Sequence, residues 1–245
     1  MKLNDSKSQI LLVGTPTNVN KCKLISSSIQ LGSETVSFSP SVKNLGVIFD
    51  ENLSFLDHIL NCRKSAFFTL KNLSRIRNHF DQKSFECLIH AFISSKLDYC
   101  NSLFINLPSS SINLLQSIQN FAARLILRKG RYCHITPLLK QLHWLPVSDR
   151  IFFKLMLITY KVINTTEPSY LYSLIPSHVS SRPTRSSDNP NLEIHISHSV
   201  RMGDRAFSIA APTLWNSLPN FIRQAPSTNI FKTRLKTYLF SNRYS

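Results

Sequence analysis

Glycine is scarce in this chain, five in 245 residues, against a usual share of about 7%. That scarcity argues against a mechanism built on a glycine-rich phosphate loop. No GxSxG elbow, Walker loop, GxGxxG fingerprint or HExxH pair occurs. Acids are few as well: 13 Asp and Glu stand against 29 Lys and Arg. No Asp-Asp or Asp-x-Asp is present, whereas metal-dependent phosphoryl transfer needs two or three carboxylates converging on Mg²⁺. The adjacent acids Asp50-Glu51 sit where a strand is expected to end and read as a turn. The five cysteines are odd in number and never closer than 13 residues. That spacing encodes no local zinc ribbon or redox pair and fits reduced thiols in an intracellular protein, nuclear or cytoplasmic. The longest early apolar run, Ile10 to Val13, is four residues. Neither a secretory signal nor a membrane span of about 20 apolar residues is expected.

Positive charge is what the chain has in excess. The formal net charge is +16, so at least 16 cations lack an acidic partner within the chain. They must face water, small anions or a polyanion, and an excess of this size points to nucleic acid or an acidic membrane surface. Residues 52–145 carry a net +8 and residues 191–245 a net +5. The length fits one large domain or two small ones. The 42% apolar fraction suffices for a core.

The hydrophobic period changes along the chain. Ser8–Val13 is a short apolar run ended by Gly14-Thr15-Pro16. Ile29 and Leu31, then Val36 and Phe38, alternate around Gly32-Ser33, and Leu45, Val47 and Phe49 alternate ahead of Asp50. This predicts a small antiparallel sheet of three or four strands. From Ser54 to about Asn164 the period is 3.6. A first helix turns Ile59, Cys62, Ala66, Leu70 and Leu73 inward, and helical faces follow over 85–93, 112–126, 136–143 and 148–163. Ser109-Ser110-Ser111 reads as a cap, and Thr136-Pro137 as N-cap and first helical residue. Prolines and serines over 165–191 mark loops, Leu192, Ile194 and Ile196 alternate as a strand, and 206–211 reads as a short helix or strand. Ser227 or Thr228 caps a last helix with Phe231, Leu235, Tyr238 and Leu239 inward. The expected fold class is α+β: a small antiparallel hairpin sheet, a mostly α-helical region, then helices and loops with a short strand pair.

The basic residues fall in rows. Lys64, Lys71 and Arg75, at spacings of 7 and 4, share a stripe about opposite the first helix's apolar face, with Phe68 among them. Arg124, Arg128, Lys129 and Arg131 crowd the end of another helix, where cations also complement the dipole. Arg150, Lys154 and Lys161 form a third row, and Lys232, Lys236 and Arg243 a fourth. Such a row can follow a phosphate backbone. A solvated face accounts for any single row; several rows on a chain so poor in acids favour polyanion binding. Phe68 is either a base-stacking residue or part of a second packing surface. Trp144 and Trp215, in Leu-Pro contexts, read as packing anchors. His195 and His198 on a strand would point to opposite faces, and Cys133-His134 with His143 lacks a fourth ligand, so neither set reads as a metal site.

Several segments then stand in a telling order: Met1-Lys2-Leu3-Asn4-Asp5-Ser6-Lys7, Val42-Lys43-Asn44-Leu45-Gly46-Val47, Leu53-Ser54-Phe55 with His58-Ile59, and Leu97-Asp98-Tyr99-Cys100-Asn101. Leu142-His143-Trp144-Leu145-Pro146-Val147 with Arg150-Ile151 follows. Last come Gly203-Asp204-Arg205-Ala206-Phe207-Ser208 and Ala211-Pro212 with Leu214-Trp215-Asn216-Ser217-Leu218-Pro219. In this order the chain resembles, over nearly its whole length, the C-terminal part of the reverse transcriptase of LINE-type (non-LTR, jockey-like) retrotransposons. The resemblance implies that 1–51 is the end of the palm with the palm-to-thumb hairpin, 52–130 the helical thumb and 131–245 a C-terminal extension. It implies that Lys7 approaches the phosphates of an incoming nucleotide, although Ser8 stands where the family has Thr. It places Leu45 and Gly46 at the primer end. Thumb helices of the family track the template–primer duplex, which suits Lys64, Lys71 and Arg75 by helical phase, with Arg124 and Arg128 as further contacts.

The family's three metal-binding aspartates and its finger strands lie upstream of the segment that matches Met1, as does its endonuclease domain. The chain is therefore expected to be a fragment of an RNA-directed DNA polymerase, from a truncated element or a reading frame drawn across one. It should lack polymerase activity alone and bind RNA, DNA or RNA–DNA hybrid through charge. No cofactor is expected, Mg²⁺ serving only the full-length polymerase, and neither a membrane nor a small-molecule substrate. Two alternatives stand beside this: a host-co-opted nucleic-acid-binding module, or a non-functional relic that folds poorly around exposed strand edges.

Overall fold

The computed structural model describes residues 8–32, 34–176, 191–195 and 202–244. The chain forms two compact units, Met1–Ser65 and Ala66–Ser245. Residues expected as thumb from position 66 onward share the second unit with those expected as C-terminal extension.

The first unit opens with a helix absent from the sequence reading, α1 (Pro16–Ile25). Thr15 caps it, its hydroxyl accepting from the Asn18 amide at 3.4 Å, and Pro16 takes the first position, where its missing N–H costs nothing. Two antiparallel hairpins follow, β1 (Ser28–Leu31) with β2 (Glu34–Ser37) and β3 (Ser41–Asn44) with β4 (Val47–Asp50). They are separate two-stranded sheets, not the single sheet expected. Pro40 stands between β2 and β3, and a residue without an N–H interrupts a continuous ladder. Ser8–Val13 contributes only one parallel bridge, Ile10 to Phe38. Leu45 and Gly46, expected as strand and primer contact, form the two-residue loop between β3 and β4, with φ of 46° and 86°. The Asp50 carboxylate then accepts from the amides of Asn52 (3.1 Å), Ser54 (2.9 Å) and Phe55 (2.6 Å), turning the chain into α2 (Leu56–Ile76). Glu51 pairs with Lys23, so both adjacent acids hold structure, in keeping with the turn read from the sequence.

The second unit is helical. Its elements after α2 are α3 (Gln82–Ile89), one π-helical turn (His90–Ser94), α4 (Ser95–Asp98), α5 (Ser109–Ile126) and α6 (Ile135–Gln141). Then come α7 (Val147–Thr165), α8 (Ser169–Tyr172), α9 (Phe207–Asn216), α10 (Asn220–Arg223) and α11 (Thr228–Tyr244). The central helix is α7, which packs against α5, α9 and α11. Its buried face presents Ile151, Leu155, Met156, Tyr160 and Val162. Tyr160 stacks on Phe231 at 4.2 Å, Trp215 lies 6.0 Å from Phe231, and the Tyr160 hydroxyl donates to the Ala225 carbonyl at 2.7 Å. Trp144 and Trp215 are both buried, which fits the reading of them as packing anchors.

Helix ends depart from the expected caps. α5 starts at Ser109 after Pro108, with no serine capping bond. α6 starts at Ile135, so Pro137 lies inside the first turn, where proline is tolerated because that N–H would have no helical partner. The start of α7 is held from a neighbouring helix instead: Gln116 of α5 accepts from the Val147 amide at 2.8 Å, and Gln119 donates to the Leu145 carbonyl at 2.9 Å. The strand pair expected near 192 does not form among the described residues. There Leu192 forms a single β-bridge, and the Asn216 side chain pairs with both its amide (2.9 Å) and its carbonyl (2.8 Å). Ile196 lies outside the described residues.

Ser227 does cap α11, accepting from the Ile230 amide at 3.3 Å, with Phe231 and Leu235 buried and Tyr238 and Leu239 half-buried. The Tyr244 hydroxyl donates to the Trp144 carbonyl at 2.7 Å. Burial, and secondarily Asp149, pushes this phenol up to about 12. An unfolded tyrosine ionises near pH 10. The stabilisation is therefore complete below about pH 10 and is lost as pH rises toward 12, because the unfolded chain sheds the proton first. Tyr244→Phe should flatten the alkaline fall of the melting midpoint; equal slopes for wild type and variant would contradict this assignment.

Candidate nucleic-acid interface

The surface is organised around a buried cation. Arg77, only 6% exposed, follows α2 in a short 3₁₀ turn (Arg77–His79). Its Nε donates to the Leu125 carbonyl (3.0 Å), one terminal nitrogen to Ile126 (2.7 Å) and the other to Phe80 (2.8 Å). The guanidinium also lies 4.6 Å from the centre of the Phe85 ring. Leu125 and Ile126 close α5, and their carbonyls have no partner within the helix. Arg77 thus caps α5 where its dipole is negative. Burial, and then the charge of Arg128, pulls the Arg77 guanidinium below its ordinary value, against the opposing pull of Asp81. Edge-to-face contact of Phe67 with Phe121 at 5.8 Å lays the second-unit part of α2 beside α5, so the ends of the two helices meet.

Beyond this cap the chain turns sharply. Arg128 has φ of 52°, and the Lys129 amide donates to the Arg124 carbonyl at 2.9 Å. This is the six-to-one bond of a Schellman turn, with Arg128 in the left-handed position that glycine usually fills. A side chain there costs about 1 kcal/mol. Arg124 is half-buried and reaches across the turn to the Cys133 carbonyl at 3.1 Å. Arg128, Lys129 and Arg131 project into solvent, and their side chains make no hydrogen bond or ion pair among the described residues. Tyr132 beside them is 94% exposed. On α2, Phe68 is 68% exposed, and Lys71 and Arg75 are exposed. The acid facing Arg77, Asp81, is committed to capping α3 through the Lys83 and Ser84 amides. Its bonds to Ser84 hold its carboxyl below the usual range.

The structure brings Arg75, Arg124 and Arg128 toward one corner through the Arg77 cap. Lys64 is exposed on the first-unit part of α2. Leu45 is 84% exposed at the first unit's hairpin tip, and Lys7 lies outside the described residues. The sequence reading missed Arg77. Its signal was there: position 77 continues the Ala66, Leu70, Leu73 stripe at the helical period, so a charge was due on the apolar face. Two rows lose members to ion pairs, Arg150 with Asp98 and Arg243 with Asp149 at 3.2 Å. Among the described residues no group of three or more His, Cys, Asp or Glu comes together as metal ligands. His198 lies outside them. No helix there is long and apolar enough to cross a membrane. Comparison of the chain with protein-family models, with curated proteins and with solved structures finds no match.

Proposed function

We propose that this chain is a nucleic-acid-binding part of an RNA-directed DNA polymerase of the non-LTR retrotransposon kind, and that its second unit grips an RNA–DNA hybrid. One observation carries the reading: Arg128, Lys129 and Arg131 stand exposed beside Tyr132 and without an ion-pair partner among the described residues, with Arg128 held in a left-handed turn. Natural chains retain such backbone cost where it positions a functional group. Cations supply the phosphate contacts, and exposed aromatics such as Phe68 and Tyr132 supply stacking surfaces that do not depend on sequence. The order of motifs along the chain supports the family reading. So does Leu45, a large apolar side chain exposed at a strained hairpin tip, which suits contact with a primer end. No Asp-Asp or Asp-x-Asp occurs in the sequence, and metal-dependent phosphoryl transfer needs converging carboxylates, so we expect these 245 residues alone not to extend a primer.

Binding to labelled RNA–DNA hybrid, single-stranded RNA and duplex DNA across a salt series tests this reading. Preference for the hybrid that persists as salt rises supports it. Equal and equally salt-steep binding to all three would reduce the chain to a counterion-releasing polycation, and primer extension by the pure chain would overturn the expectation of inactivity.

A further inference from the structure

The second unit also contains a cleft of about 420 Å³, within the range of small-molecule sites. We propose that it binds a single nucleotide, with the base edge at Asn101 and Trp144 and the phosphate between Lys154 and Lys236. All four residues line the cleft. Asn101 and Trp144 are 2% and 5% exposed, and each keeps one polar atom, Asn101 Oδ1 and Trp144 Nε1, without a hydrogen-bond partner among the described residues. An unmade hydrogen bond at a buried polar atom is costly, and native proteins rarely leave two in one cleft without a reason. One is an acceptor and the other a donor, and a base edge offers the complement of both. Binding requires these two buried atoms to turn toward the cleft.

The charges of the cleft sort the same way. Glu86 pairs with His90 at 3.5 Å, and Asp98 pairs with Arg150. Lys154 and Lys236 are exposed with no carboxylate partner among the described residues, so the cleft keeps positive charge to spare. Phe153, Leu145 and Leu157 give it an apolar wall for the face of a ring. Two backbone irregularities frame it: the π-helical turn at His90–Ser94, a feature frequent at functional sites, and His143 at φ of 52°. His143 occupies the glycine position of a Schellman turn closed by Trp144 N to Leu139 O at 2.9 Å. Inorganic phosphate would leave the two buried polar atoms and the apolar wall unused, and an uncharged base would leave the lysines unused. A nucleotide meets all three. This proposal departs from the expectation of no small-molecule substrate, and it uses none of the residues on which hybrid binding rests.

Isothermal titration of the whole chain with the four ribonucleoside 5′-monophosphates, ribose 5-phosphate and inorganic phosphate tests the proposal. At least one monophosphate should bind about tenfold or more tightly than ribose 5-phosphate. Lys154→Ala with Lys236→Ala, both exposed and safe for folding, should weaken it about tenfold, while Arg128→Gly should leave it unchanged. Absence of saturable nucleotide binding, equal binding of ribose 5-phosphate, or indifference to the lysine pair would each overturn it. Competition by a short single strand distinguishes the sources. Displacement that the lysine variant abolishes assigns the site to one nucleotide of a strand; no displacement assigns it to a free nucleotide. Loss of hybrid binding at the α5 corner would leave this result standing, so the two proposals fail separately.

Discussion

Arg128→Gly should make the protein more stable and a poorer nucleic-acid binder at once. Glycine accepts the left-handed turn at the end of α5 without strain, a gain of about 1 kcal/mol. Removing the charge also relieves the repulsion that, after burial, lowers the Arg77 guanidinium. For a unit of this size the melting midpoint should rise by about 2–4 °C. If the proposed hybrid contact holds, the same change removes one phosphate contact, which at 0.1 M salt is worth roughly five- to tenfold in affinity for the hybrid. Adding Lys129→Ser and Arg131→Ser should bring the loss to about 10²-fold or more and flatten the dependence of log affinity on log salt by roughly 2–3 units. Thermal melts and a salt-series titration on the same preparations read both effects. A stabilised variant that binds as well as wild type would make the corner purely structural.

Arg77→Met should cost about 3 kcal/mol of unfolding free energy, because it strands the carbonyls of Leu125, Ile126 and Phe80 in a buried place. Arg77→Lys should recover little. A lysine ammonium is a point donor and cannot span carbonyls on two sides as the planar fork does. Urea unfolding followed by the fluorescence of the two buried tryptophans measures the cost, and a loss below about 1 kcal/mol would refute the capping role. Contrasted with Arg128→Gly, the pair separates a cation the fold needs from one it tolerates.

The long helices were legible because each buries one wide stripe. Ala66, Leu70 and Leu73 are buried as their phase required, and so are Leu115, Ile118 and Ala122 on α5. Helix α1 was not, because it buries only Val19 and therefore shows no stripe; Thr15-Pro16 was its sole signal. Leu45 misled because Leu45, Val47 and Phe49 alternate straight through the hairpin loop, and Leu-Gly is a poor turn signal beside Asn-Gly. The boundary between the units falls inside α2, at Ser65 and Ala66, where helical periodicity runs on unbroken and composition does not shift. Of the candidate site, exposure of Phe68, Lys71 and Arg75 followed from helical phase. What phase does not contain is the pairing of α5 with the end of α2, a contact between residues 77 and 125–126 that depends on tertiary packing. The same holds for the cleft, whose wall residues come from positions as far apart as 86 and 236.

The central claim, that the α2–α5 corner contacts nucleic acid, is met most directly by photo-crosslinking. A hybrid carrying a photoreactive base in its RNA strand would be irradiated with the whole chain, and the crosslinked peptides located by mass spectrometry. The account predicts crosslinks at Tyr132, Phe68 and the intervening basic residues 71–75 and 128–131, lost with Arg128→Gly, Lys129→Ser and Arg131→Ser combined. Crosslinks spread evenly over the other basic rows, at Lys161 or Lys232 for example, or unchanged by that triple variant, would contradict it.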